Sequence, residues 1–178
     1  FGGGPDADTG WQPADVDFHY IFVLQGQVRL QLEGREDALT LRARDGVHLP
    51  GGSRYRASGF SPEFEMVEIA APAVAQPDAA PRPGRVSEFA LNLERPEAYK
   101  VGDGPRRFLA YRDAGATAAT GRRVNLNVVR NSKAGDSSTG WHYHSLACQF
   151  VFVLQGWSRV EVEGQPGTYT LRTGDAMT

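Results

Sequence analysis

Laid against itself with a shift of 130 positions, this chain repeats. Gly10-Trp11 falls on Gly140-Trp141, Phe22-Val-Leu-Gln-Gly26 on Phe152-Val-Leu-Gln-Gly156, Glu33-Gly34 on Glu163-Gly164, Thr40-Leu-Arg42 on Thr170-Leu-Arg172 and Asp45 on Asp175. Without a gap, residues 10–48 match 140–178 at 14 of 39 positions, where average residue usage gives about two or three. A duplication of that quality commits the chain to building one small unit twice. Two full units of 130 need about 260 residues, and the chain has 178. The first copy lacks a counterpart to most of Arg85–Thr139, and the second stops at Thr178, which matches His48. Two explanations are open: a fragment cut at both ends, or parts that complete one another in a permuted or swapped arrangement. The fragment is favoured, because a stop inside a strand-turn-strand unit leaves an unpaired sheet edge.

The repeated unit reads as β-structure. Short aromatic and β-branched runs lie between plentiful Gly and Pro (21 and 11), as short strands and tight turns require. The best helical run, Glu88 to Tyr99, is broken by Pro96. Pro72, Pro77, Pro81 and Pro83 mark an extended Pro/Ala-rich linker. The expected division is therefore an N-terminal repeat at 1–72, a linker at 73–87 and a C-terminal repeat at 88–178. In the latter, Arg107–Tyr111 and Arg123–Arg130 are leading strands, and Asn131–Thr139 is a polar loop.

Charge and composition narrow the partners. A net charge of −2 and a pI near 6.1 give no basic surface for nucleic acid or anionic membrane. No run approaches the ~18 apolar residues that a membrane helix needs. Cys148 is the single cysteine, which excludes an internal disulfide framework and makes a cytoplasmic location the default. The chain begins with Phe1 and shows no signal peptide, so a trimmed targeting segment stays open.

The chemistry concentrates in Gly140-Trp-His-Tyr-His-Ser-Leu-Ala-Cys-Gln-Phe-Val-Phe-Val-Leu-Gln-Gly156. His142 and His144 are two apart, so an extended strand sends both imidazoles from one face. Two converging imidazoles suit a first-row transition metal. Gln149 follows at an odd offset and needs a turn or bulge near 145–147 to join them. From Gln149 onward the strand is apolar on both faces, as expected inside a double-layered barrel.

This segment resembles the first motif of the cupin superfamily: HxH, three or four residues, Glu, six residues, Gly. Here it reads His142-x-His144, four residues, Gln149, six residues, Gly156, with Gly135 one place from the family's upstream glycine. The second motif, PxGxxHxxxN after Gly-Asp, is echoed in the first copy by Arg44-Asp45, Pro50-Gly51-Gly52-Ser53-Arg54-Tyr55 and Gly59, and in the second by Gly174-Asp175 alone. The resemblance implies two cupin (double-stranded β-helix, jelly-roll) barrels in tandem, a bicupin. It implies a divalent transition metal (Zn, Ni, Mn or Fe) held by His142, His144 and Gln149. The amide of Gln149 replaces the family's carboxylate, and a fourth ligand would fall near position 185, beyond this chain. In the first copy the matching residues are Gln12, Ala14, His19 and Tyr55, so that barrel has lost its ligands.

The resemblance further implies a metal-dependent enzyme acting on a small organic molecule, of the dioxygenase or isomerase/lyase type, with catalytic residues unknown. Gln149 weighs mildly against Fe(II) oxygen activation. A non-catalytic small-molecule-binding or regulatory bicupin and a storage-type barrel are the other readings, and a homodimer is the family expectation. The plainer expectations are these: His19 is a satisfied or pocket-lining histidine, His48 is structural, Cys148 is a buried small hydrophobe, and Trp11 and Trp141 pack the barrels. Tyr143 faces away from the metal, and Arg29, Arg42, Arg159 and Arg172 form a solvated face.

Overall fold

A computed structural model describes residues 6–71, 88–133 and 137–178. It divides into two compact units, Phe1–Ser138 and Thr139–Thr178. Strands dominate, and the α-helix among the described residues is a single turn, α1 (Ala116–Ala119). The linker predicted at 73–87, its prolines and Gly135 lie outside the described residues.

In the first unit, β1 (Asp8–Pro13), β2 (Phe18–Gln25), β3 (Gln27–Leu32), β4 (Leu39–Arg42), β5 (Gly46–Leu49), β6 (Arg54–Ser58), β7 (Glu65–Ala71) and β8 (Ala90–Asn92) make two antiparallel four-stranded sheets. Their orders are β1-β6-β3-β4 and β7-β2-β5-β8. Period-two alternation decides what lies between them. Ile21 and Val23 of β2, Val28, Leu30 and Leu32 of β3, Leu41 of β4, and Val47 and Leu49 of β5 form a buried core, against which Tyr55, Ala57 and Met66 pack.

The intervening residues of β2 and β5 are buried as well, on the opposite face. Phe18, Tyr20, Phe22 and His48 are at most 7 % exposed. Residues 88–133 belong to this same compact unit: β8 pairs with β5, and β9 (Lys100–Val101), β10 (Leu109–Asp113) and β11 (Asn127–Asn131) form a small sheet. The Tyr20 hydroxyl donates to Ala114 O at 2.7 Å, and the His48 ring nitrogen Nδ1 meets Glu88 O at 2.8 Å. Arg112, 1 % exposed, is the bolt. Its guanidinium donates to Arg44 O (2.7 Å) and Leu93 O (3.3 Å), meets Glu94 Oε2 at 2.9 Å and reaches Asn92 Oδ1. A buried cation of this kind needs its charge compensated, and the Glu94 carboxylate and these carbonyls do so. The structure thus groups 88–133 with the first repeat, whereas the sequence division placed it with the second. The helical run considered at Glu88–Tyr99 is instead β8 followed by a 3₁₀ turn at Pro96–Ala98.

The second unit contains β12 (Val151–Phe152), β13 (Trp157–Val160), β14 (Tyr169–Arg172) and β15 (Ala176–Met177). Its registers reproduce those of the first repeat at the same shift of 130. Phe22↔Gly46 and Ile21↔Val47 become Phe152↔Ala176 and Val151↔Met177. The four pairs from Gln27↔Arg42 to Leu30↔Leu39 become Trp157↔Arg172 to Val160↔Tyr169. The turns agree too. Asp45 accepts from Arg42 N at 2.8 Å and Asp175 from Arg172 N at 2.7 Å, and the residue before each is left-handed, Arg44 at φ 71° and Gly174 at φ 91°.

Candidate metal centre

The predicted ligand pair sits at the start of the second unit. Residues 141–150 form an irregular, exposed run in place of the predicted buried strand, and regular pairing begins only at β12. The reason lies in the partners. In the first repeat the equivalent strand β1 is held by β6, and β2 is flanked by both β5 and β7. Among the described residues of the second unit no strand takes the place of β6 or β7. The apolar side chains of this run therefore stay uncovered: Trp141 is 71 % exposed and Tyr143 90 %. Trp141 does not pack a barrel here, whereas Trp11 is half-buried. Cys148 is exposed, correcting the expectation of a buried hydrophobe.

His142 and His144 nevertheless meet. Their ring centroids are 5.0 Å apart with the planes at 77°. Two imidazoles sharing one ion at M–N distances near 2.0–2.1 Å have centroids about 4.5–5.2 Å apart for bond angles from about 90° to tetrahedral. His142 Nδ1 lies 2.9 Å from Gly140 O. A carbonyl can only accept, so Nδ1 carries the proton and Nε2 keeps its lone pair for a metal. Gln149 lies farther along the same exposed run, and no hydrogen bond among the described residues joins it to either ring. Two nitrogen donors fit a transition metal; a full shell of three or more His, Cys, Asp or Glu ligands is not assembled among the described residues.

The corresponding place in the first repeat is built differently. Gln12 is exposed on β1 opposite Tyr55, and Ala14 is buried. His19, 4 % exposed, shares the inward face of β2 with Ile21 and Val23. Its Nε2 is 2.6 Å from Glu68 Oε1. The Tyr55 ring lies edge-on to it at 5.4 Å, and the Tyr55 hydroxyl reaches the same Glu68 oxygen at 3.5 Å. Burial, and then the Glu68 carboxylate beside it, push the Tyr55 hydroxyl up from its ordinary pKa, so it remains a donor. The sequence reading missed Glu68. It is 49 residues from His19 and has no counterpart inside the repeated segment, so neither spacing nor repeat could expose it. His48 is structural, as expected: it is fully buried, against Phe18 at 5.3 Å. Arg29, Arg42, Arg159 and Arg172 are all exposed.

Residues 129–178 match the family model described as Cupin domain. The match contains both histidines, Gln149 and all four strands of the second unit. Nothing among curated proteins or solved structures matches the chain. Among the described residues no helix is long and apolar enough to cross a membrane.

Proposed function

We propose that the chain is a tandem cupin protein whose second repeat holds a divalent transition metal and acts as an enzyme on a small organic molecule. The observation that carries this reading is the His142–His144 ring pair, 5.0 Å apart within the cupin segment. The tandem arrangement is supported by the matched registers of the two repeats. His142 and His144 would hold the metal, with the Gly140 carbonyl fixing the tautomer of His142. Gln149 would complete or tune the shell through its amide. When bound, the metal supplies Lewis acidity toward a substrate oxygen, or a binding position for dioxygen. Because Gln149 is neutral, the site gains one positive charge relative to a two-histidine, one-carboxylate set, which favours isomerase or lyase chemistry on Zn, Ni or Mn over oxygenase chemistry on Fe. The first repeat would serve structure and assembly, with a homodimer as the working expectation and the cytoplasm as the site of action.

Metal analysis of the full natural protein tests this directly. Close to one equivalent of metal per chain, lost in the His142→Ala/His144→Ala variant with the fold retained, is the expected result. A folded, metal-free protein that refuses added Zn, Ni, Mn and Fe would leave the non-catalytic small-molecule-binding reading in its place.

A further inference from the structure

A cleft of about 360 Å³ opens on the first unit, outside its two-sheet core. One rim is the end of β4 and the turn after it, with Thr40, Arg42, Ala43 and Asp45; the other is Leu93 and Glu94, just beyond β8. Gln12, Ala14, His19 and Tyr55, the residues that match the metal ligands, do not line it. The two rims are fastened to each other. Glu94 N donates to Asp45 Oδ1 at 2.7 Å, and the buried Arg112 guanidinium donates to Arg44 O on one rim (2.7 Å) and Leu93 O on the other (3.3 Å). Backbone and buried groups thus hold the cleft's width.

Its charges are unequally spent. Asp45 accepts from Arg42 N at 2.8 Å through the oxygen not used by Glu94 N, so both its oxygens are engaged. Glu94 Oε2 meets Arg112 at 2.9 Å and accepts from the Tyr99 hydroxyl at 3.2 Å. Thr40 and Arg42 stand two apart on β4 and both are exposed, while Leu41 between them is turned into the core. The Arg42 guanidinium donates to Gln27 Oε1, a neutral partner, at 2.6 Å. Arg29 is paired directly across the sheet from Thr40 and shares its face. Among the described residues no carboxylate pairs with the side chain of Arg29 or Arg42.

This arrangement selects a ligand. A guanidinium is a planar fork that a carboxylate meets with two oxygens, and the Thr40 hydroxyl adds one more donor. Asp45 and Glu94 oppose a second negative charge on the same molecule. Ala43 and the 39 % exposed Leu93 offer apolar surface to an organic body. We infer that this cleft binds a small organic monocarboxylate, with its carboxylate on Arg42 and Thr40 and its body against Ala43 and Leu93. Arg29 adds attraction without contact. Because the ligand touches both rims, its binding clamps residues 88–133 onto the first repeat. The site stands apart from the proposed metal centre, and neither depends on the other.

The test titrates benzoate, and benzamide as its uncharged isostere, into the isotopically labelled full chain with a chelator present, so that no metal takes the carboxylate. Saturable shifts at Thr40, Arg42, Ala43 and Leu93 are expected with benzoate, and benzamide should bind at least about tenfold more weakly, the equivalent of one charge-assisted hydrogen bond. Saturating benzoate should also slow amide exchange in β8, since it binds only the clamped form. Arg42→Gln, at an exposed position, should abolish the difference between the two probes. Leu93→Ala should weaken both together. Arg172→Gln changes the matching hairpin of the second repeat, whose described residues supply no counterpart of Leu93 and Glu94, and should change nothing. Equal binding of benzoate and benzamide overturns the proposal, as does the lack of any saturable shift or a benzoate response unchanged in Arg42→Gln. An unchanged response in Leu93→Ala would confine binding to the β4 hairpin and overturn the cleft. Inorganic phosphate binding more tightly than benzoate would overturn the monocarboxylate class.

Discussion

Gly46 and Tyr20 show how tightly single residues are specified. A Cβ on Gly46 would stand 2.7 Å from Tyr20 Cζ and run into its hydroxyl. In the second repeat the same pair of positions holds Ala176 and Phe150: where the hydroxyl is gone, the methyl is admitted. Gly46→Ala alone should destabilise by about 1–3 kcal/mol, the usual cost of overpacking. In a Tyr20→Phe background the added cost should be smaller, so denaturant titration of the double-mutant cycle should show positive coupling. Asp8 makes a second residue-scale prediction. Its carboxylate accepts from Arg56 Nε at 2.8 and 2.9 Å and from Gly10 N at 2.8 Å, and these bonds, Arg56 first, pull its pKa from 3.8 to about 2. The unfolded chain therefore takes up this proton before the folded one does. The contribution of the pair is complete above pH ~4 and is lost as pH falls through about 2. Amide signals along the β1–β6 pairing should lose protection over that window, and Asp8→Asn should flatten the response.

At the scale of elements, the outer face of the β7-β2-β5-β8 sheet depends on residues 88–133. Phe18, Tyr20 and Phe22 are buried there, and a large apolar side chain gains about 1.5–3 kcal/mol from burial. A chain ending at 71 should therefore lose cooperative unfolding and bind a hydrophobic dye, while one ending at 138 should not; equal behaviour would mean that the covering segment is dispensable. The repeat was legible in the sequence, and some of the identities that survive duplication set its turns: Asp45 and Asp175 cap their own loops, and Gly34 and Gly164 sit at φ 80° and 79°. The covering role of 88–133 was not legible. Its strands are short and its anchors, Arg112 and Glu88, act through contacts 40 or more residues away. Of the candidate site, the structure shows the rings of His142 and His144 near each other, but on an irregular run and not on the predicted strand, because a strand's buried setting depends on neighbours that no local pattern specifies.

Across the whole molecule the two units differ in how much of their apolar surface is enclosed, and that difference predicts their dynamics. In the first, β2, β3 and β5 are sealed between layers, with Val23, Leu41, Val47 and Leu49 fully buried. In the second, Phe150, Trp157, Val162 and Tyr169 remain 42–57 % exposed, and each strand has one paired neighbour among the described residues. Two-stranded pairings are marginal in water, so amide exchange without metal should be slow across β2, β3 and β5 and fast throughout 139–178. A metal that binds only the folded form shifts this balance by mass action: at a free concentration 100 times its Kd it adds about 2.7 kcal/mol, or roughly a hundredfold slowing of exchange that proceeds through opening. That slowing should be confined to 139–178, centred on the segment carrying His142 and His144, and vanish in His142→Ala/His144→Ala. The first repeat should be indifferent to metal, because His19 is its one imidazole at the matching positions, where Gln12, Ala14 and Tyr55 stand in place of the other ligands. Metal-dependent protection appearing at β2 instead would move the centre to the first repeat and dissolve the assignment of the histidine pair.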